Sequence, residues 1–222
     1  MSQSQTALLA TLLPTSVAVA EQFGAHVGTL SKEEKEVLGE AAPKRQLEFA
    51  AGRNCAREAL KRLGLPESPI LRGKNREPLW PDGVVGSITH CQGYCAAAVA
   101  YGSQIPALGI DAEPDEPLPE GVLPLIARKE EIEKLANGWS SSAPHPDRIL
   151  FSAKESTYKA WYPLTNRWLD FDAVRIDLVA EHGSFDVTVL GGCCVGVGSL
   201  KFSGRYMVRN GLILTAVITE RN

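Results

Sequence analysis

Residues 43–64 read PKRQLEFAAGRNCAREALKRLG, and residues 146–163 read PDRILFSAKESTYKAWYP. Each opens on a proline, which suits the first turn of a helix, and each is followed by short apolar runs bounded by Gly or Pro. The first helix is expected to stop at Gly64 and the second at Pro163, which cannot continue a helix. Within the first, Leu47, Ala51, Cys55, Ala59 and Leu63 recur every four residues and are expected to form the buried side, with Arg45, Arg53 and Arg57 on its flanks. Strands are expected at 84–89, 94–101 and 108–113 after the first helix, and at 173–180, 185–190, 200–208 and 212–219 after the second. Asn210-Gly211 is a hairpin turn between the last two. A short helix and a strand precede residue 20, and a small helix occupies 129–136. The fold class is therefore α+β: two similar halves, each a long helix packed on a small, mostly antiparallel sheet, meeting near residue 105. No fixed-period repeat is evident.

Composition narrows the function. The 222 residues carry 23 Lys+Arg against 26 Asp+Glu, a formal net charge of -3, with 44% hydrophobic residues. That is the make-up of an ordinary globular chain, and it argues against a dedicated nucleic-acid binder, which would show a strong basic excess. The balance hides a split. Residues 44–76 hold nine Lys and Arg against three Glu, a net +6, whereas residues 111–133 are net -6. Arg and Lys are the usual phosphate partners, so the basic stretch points to a phosphorylated ligand, with plain helix surface as the alternative.

Cys55, Cys91, Cys95, Cys193 and Cys194 form no Cys-x-x-Cys pair and read as reduced thiols filling a core. The apolar run 7–20 resembles a secretory signal only superficially. No Lys or Arg precedes Lys32, and Pro14 interrupts the run. With no stretch of 18 apolar residues, a membrane span is not expected and a cytoplasmic location is.

Asp111 and Glu113 lie two apart on the strand expected at 108–113, so both side chains point to one face. Two carboxylates on one face suit a hard cation such as Mg²⁺, although a strand end turning to solvent would also place acidic residues there. On the second long helix, Glu155 and Lys159 have the spacing of a surface ion pair, yet Phe151, Tyr158, Trp161 and Tyr162 leave Lys154, Glu155 and Lys159 little open solvent. Ser87, Thr89 and His90 close an apolar strand with polar groups, where the histidine is either a hydrogen-bonded structural residue or a ligand contact.

Taken together, Ser87-x-Thr89-His90, then Gly109-Ile110-Asp111-x-Glu113, then FSAKESTYK at 151–159 resemble the 4′-phosphopantetheinyl transferases of the long, pseudo-dimeric type, the surfactin-synthetase-activating and siderophore type. The resemblance implies a pseudo-dimer with its active site at the interface of the halves. Residues 1–107 would bind the phosphates of coenzyme A, and residues 108–222 would carry the metal-binding and catalytic motifs. It implies Mg²⁺ (or Mn²⁺) on Asp111, Glu113 and Glu155, and Lys154 and Lys159 near the pyrophosphate of the substrate coenzyme A. Ser87, Thr89 and His90 would lie against the nucleotide, and Arg45 and Arg53 against its 3′-phosphate. The family's Gly-Lys-x-Pro element is here Gly73-Lys74-Asn75-Arg76-Glu77-Pro78, leaving Arg72, Lys74 and Arg76 as alternative ligand contacts.

The reaction so implied is attack of a carrier-protein serine on the β-phosphate of coenzyme A, with Glu155 as base, directly or through water, and 3′,5′-ADP as leaving group. Partners would be apo acyl, peptidyl or aryl carrier proteins of fatty-acid, polyketide or nonribosomal-peptide synthases, with no nucleic acid or membrane, and the protein a monomer. Trp139, Trp161, Tyr162, Leu164 and Trp168 would form either a carrier-docking surface or core. Two rivals share these residues: a non-catalytic module that binds coenzyme A or a carrier protein, and a Mg²⁺-dependent nucleotide pyrophosphate hydrolase.

Overall fold

A computed structural model describes residues 7–138, 143–190 and 200–221. Cys193, Cys194 and Trp139 lie outside them. The chain divides into two compact units, Met1–Gln104 and Ile105–Asn222.

In the first unit a 3-10 turn, Leu9–Leu12, leads into β1 (Ala18–Phe23), followed by α1 (Lys32–Leu38) and α2 (Pro43–Arg62). The two-residue strands β2 (Leu71–Arg72) and β3 (Pro78–Leu79) pair as a small hairpin. β4 (Val84–Cys91) and β5 (Tyr94–Tyr101) form a longer one, to which β1 adds on the far side of β5. Every pairing is antiparallel. α2 lies on this sheet through small residues. Ala51, Cys55, Ala56 and Ala59 pack with Cys95, Ala97 and Val99, which lets helix and sheet approach closely.

The buried face of α2 differs from the strict four-residue pattern. Leu47 is 55% exposed, whereas Phe49, Arg53, Arg57 and Leu60 are buried. Of the expected positions Ala51, Cys55 and Ala59 are buried and Leu63 packs at the edge of the core, so Leu47 is the exception. Helix α1 was not expected, yet Ser31 and Glu34 form a capping box, each side chain bonding the other's backbone N–H.

The second unit opens with β6 (Leu108–Pro114), then α3 (Leu123–Ile126), α4 (Lys129–Gly138) and α5 (Pro146–Thr165). The strands β7 (Val174–Val179), β8 (Ser184–Val189), β9 (Leu200–Arg209) and β10 (Leu212–Arg221) complete a five-stranded antiparallel sheet of order β6-β10-β9-β8-β7. Asn210 and Gly211 turn β9 into β10 with φ of 55° and 74°, the left-handed pair that a two-residue hairpin loop requires.

α5 runs through Pro163 rather than stopping at it. In the last turn the missing N–H forfeits a single backbone bond. Closure falls instead to Asn166, at φ 52°, whose N–H donates to the Tyr162 carbonyl at 2.8 Å. The helix presses hard on β6. A Cβ placed on Gly109 would stand 2.0 Å from the Ser156 carbonyl oxygen, so only glycine allows this approach.

Each unit also contains a buried glutamate that ties a short helix to the long one. In the first, Glu34 accepts from Ser31 N, from Ile70 N at 2.9 Å and from Arg57 Nη1 at 2.7 Å. In the second, Glu131 accepts from Arg128 N, from Ile176 N at 2.8 Å and from Lys154 Nζ at 2.7 Å. Cys55 and Cys95 are buried free thiols and Cys91 is half-buried. Among the described residues no helix is long and apolar enough to cross a membrane.

Candidate active site

The close packing of α5 on β6 brings four of the expected residues together in the second unit. Lys159 Nζ donates to Asp111 Oδ1 at 2.8 Å and to the Ile110 carbonyl at 3.1 Å. Asp111, 5% exposed, receives a second bond at Oδ2 from Ser152 Oγ, at 2.8 Å. Thr215 on β10 holds Ser152 from behind by donating to its carbonyl at 2.9 Å. Glu113, two residues along the same strand face, accepts from Arg148 Nη1 at 2.8 Å.

Glu155 stands one turn before Lys159. Burial raises its pKa above the ordinary carboxylate range, the negative charge of Asp111 raises it further, and Lys159 opposes both. Glu113 is raised for the same two reasons, with Arg148 and Lys159 pulling it down. Burial first, and then the charge of Asp111, hold both glutamates above their usual range.

The donor set is all carboxylate oxygen, which fits a hard divalent cation. Among the described residues no three Asp, Glu, His or Cys are gathered closely enough to hold a metal. In this arrangement Lys159 takes up one oxygen of Asp111 and Arg148 one of Glu113.

Lys154 does not join them. Its ammonium is buried, and its three donors are taken by Glu131 Oε2 at 2.7 Å and by the carbonyls of Phe171 and Val174 at 2.8 and 3.1 Å. Burial lowers its pKa while Glu131 supports the charge. Expected beside a pyrophosphate, Lys154 instead faces into the unit and anchors α5 to α4 and to the start of β7. The cause is geometric: residues 154 and 155 are about 100° apart round a helix, so they cannot both face β6.

In the first unit the basic residues form a cluster of their own. Arg45 Nη1 lies 3.2 Å from His90 Nε2. Arg53 Nε donates to the Ile70 carbonyl at 2.8 Å, and its guanidinium lies over the Phe49 ring. Burial lowers the Arg53 pKa to about 10, and the like charges of Arg45, Arg72 and Arg57 add to the shift against the pull of Glu34. Arg72 donates to the Val37 carbonyl at 3.0 Å. Lys74 is exposed in the turn between β2 and β3, and Arg76 occupies that turn at φ 71°. Ser87 and Thr89 are buried in β4.

Sequence reasoning missed Ser152, Thr215 and Arg148. Ser152 lies inside the FSAKESTYK stretch at the spacing of Glu155 less three, so its face was readable. Thr215 and Arg148 had no local signal, because their partners are 63 and 35 residues away.

Two family models match the chain: the 4′-phosphopantetheinyl transferase N-terminal domain over residues 33–100, and the 4′-phosphopantetheinyl transferase superfamily over residues 107–191. The chain is 47% identical to the 4′-phosphopantetheinyl transferase Svp of Streptomyces mobaraensis, over 95% of this chain and 88% of that one. It is 43% identical to the transferase PptT of Mycobacterium tuberculosis, over 95% and 97%, and 42% identical to Npt of Nocardia iowensis, over 95% and 99%. With the Asp111, Glu113, Glu155 and Lys159 cluster inside the second matched segment and the Arg45, Arg53, Arg72 and His90 cluster inside the first, the chain belongs to the 4′-phosphopantetheinyl transferase family.

Proposed function

We propose that this phosphopantetheinyl transferase uses the Asp111, Glu113, Glu155 and Lys159 cluster to move the 4′-phosphopantetheine group of coenzyme A onto a serine of apo acyl, peptidyl or aryl carrier proteins. The observation that carries the reading is the bond from Lys159 to Asp111 where α5 packs on β6, with Glu113 two residues along that strand and Glu155 one turn before Lys159, in a chain of this family. The serine oxygen forms a bond to the β-phosphorus, the bond from that phosphorus to the bridging oxygen breaks, and 3′,5′-ADP leaves. Glu155, held above the usual carboxylate range, is the group suited to accept the serine proton, directly or through a water.

Asp111, Glu113 and Glu155 would hold Mg²⁺ (or Mn²⁺), which when bound supplies the positive charge that offsets the pyrophosphate. Lys159, pinned on Asp111, contributes charge that needs no reorganisation during the reaction. Lys154 enters as the internal anchor of α5 rather than as a phosphate contact. In the first unit Arg45 and His90 suit the 3′-phosphate, supported by the positive field of Arg53 and Arg72, with Lys74 exposed beside them in sequence. Ser87 and Thr89 shape β4 beneath His90 as the nucleotide's bed. The setting proposed is a cytoplasmic monomer that modifies carriers of fatty-acid, polyketide or peptide synthases.

The decisive experiment incubates the purified protein with coenzyme A, Mg²⁺ and apo carrier proteins of those three types and reads each carrier by mass spectrometry. A phosphopantetheine mass gain is expected on at least one. No gain on any carrier would overturn the reading. Coenzyme A cleavage without an acceptor would point to a hydrolase, and binding without turnover to a module.

A further inference from the structure

Every guanidinium nitrogen of Arg148 is committed. Nη1 donates to Glu113 Oε2 at 2.8 Å, Nη2 to the Pro117 carbonyl at 2.8 Å and Nε to the Glu116 carbonyl at 3.1 Å. The side chain is 13% exposed and that of Glu113 is 20% exposed, so the pair lies where water screens poorly. Its neighbour Asp147 accepts from Leu118 N at 2.8 Å, so the first turn of α5 grips the chain that leaves β6 at both ends of residues 113–118.

The charges then count simply. Asp111 is matched by Lys159, Glu113 by Arg148, and Glu155 alone is left over, a net charge of -1 for the five groups. A site of -1 is a weak trap for a free divalent cation, whereas a site of -2 or -3 is a strong one. Arg148 also holds Glu113 apart, in keeping with the lack of a three-carboxylate group among the described residues.

We propose that Arg148 is a positioning residue that acts through Glu113, as the resident counter-ion that keeps metal affinity low until an anionic substrate arrives. The cation is then captured together with the phosphates it must neutralise, and the empty enzyme does not sequester it. The inference rests on the metal reading given above.

Its test is a titration of the metal-free, full-length protein with Mn²⁺ alone, following the free ion by electron paramagnetic resonance. Arg148→Gln is expected to tighten Mn²⁺ binding about tenfold. The double variant Arg148→Gln/Glu113→Gln restores the charge of -1 but removes one carboxylate ligand, and is expected to lose the gain and bind no more tightly than the wild type. Arg148→Met repeats the neutral substitution while keeping the aliphatic stem, so that one poorly folded variant does not decide the outcome. Unchanged or weaker Mn²⁺ binding in the folded neutral variants overturns the proposal. Asp111→Asn separates this failure from that of the metal reading: if it still removes Mn²⁺ binding, only the role of Arg148 falls, and if it leaves binding at the wild-type level the metal reading falls with it.

Discussion

The first unit lays α2 on its sheet through alanines and cysteines, whereas the second lays α5 on β6 through Gly109 and then spends the adjoining helix face on Ser152, Glu155 and Lys159. Both long helices span 20 residues from a proline. Both are tied by a cation to a buried glutamate on a short helix, and that glutamate also caps its own helix and receives an isoleucine N–H. The chemistry separates them. In the first unit the buried arginines are committed to backbone carbonyls and Glu34, whereas Arg45 is exposed and meets the half-buried His90. In the second, the acidic strand β6 gives the helix something to face. The same frame thus carries a basic pair, Arg45 and His90, on one copy and acidic residues facing a lysine on the other.

The largest effect expected is on the carboxylate side of that comparison. Asp111→Ala and Glu155→Ala should each lower carrier modification by about 10²-fold or more while circular dichroism remains that of the wild type. If either keeps near-normal turnover at saturating Mg²⁺, the second unit does not hold the reaction centre.

The shared frame is tested next. Lys154→Met and Arg57→Met each leave a buried glutamate without its cation and should cost about 3–5 kcal/mol in denaturant unfolding. Adding Glu131→Gln to Lys154→Met should recover much of the stability and, with it, transfer. A double variant that refolds well yet stays inactive would return Lys154 to the phosphate site.

On the anion side, Arg45→Ala should weaken coenzyme A binding about tenfold while dephospho-coenzyme A is little affected. Equal weakening of both ligands in calorimetry would remove the 3′-phosphate from this cluster.

The smallest effect concerns Glu155→Gln. Its raised pKa means that the ionised carboxylate costs the metal-free fold stability. The favourable contribution of the protonated form is complete below the unfolded pKa and is lost as pH rises through the raised folded value. Glutamine should therefore raise Tm by roughly 2 °C at neutral pH, with the gain disappearing in acid. A lower Tm at neutral pH would show that Glu155 is held by more than its neighbours' charges.

Much of this was legible in the chain. The strand at 94–101, the Asn210-Gly211 turn and the α5 start at Pro146 follow from patterns a few residues long. Asp111 and Glu113 share a face because strand alternation requires it. Helix α1 was hidden by its polarity, yet its signal was present twice: Lys-Glu-Glu-x-Glu-x-Leu at 32–38 recurs at 129–135, and in both copies the second glutamate is the buried one. A search for fixed periods misses it because it occurs only twice, with unlike sequence between. What could not be read was partner choice. The cations that meet Glu34, Glu131 and Glu113 come from 23, 23 and 35 residues away, through helix packing that no local pattern encodes.

The bare α-carbon of Gly109 has a consequence for how such an enzyme can fail. Because α5 rests directly on the backbone there, a single methyl group at this position would act as a shim, lifting the helix from the strand. Asp111 would then part from Ser152 and Lys159 with every charged residue of the cluster still in the chain. A variant of this kind would look intact in any inventory of catalytic side chains. Its defect would be one of thickness, not of chemistry.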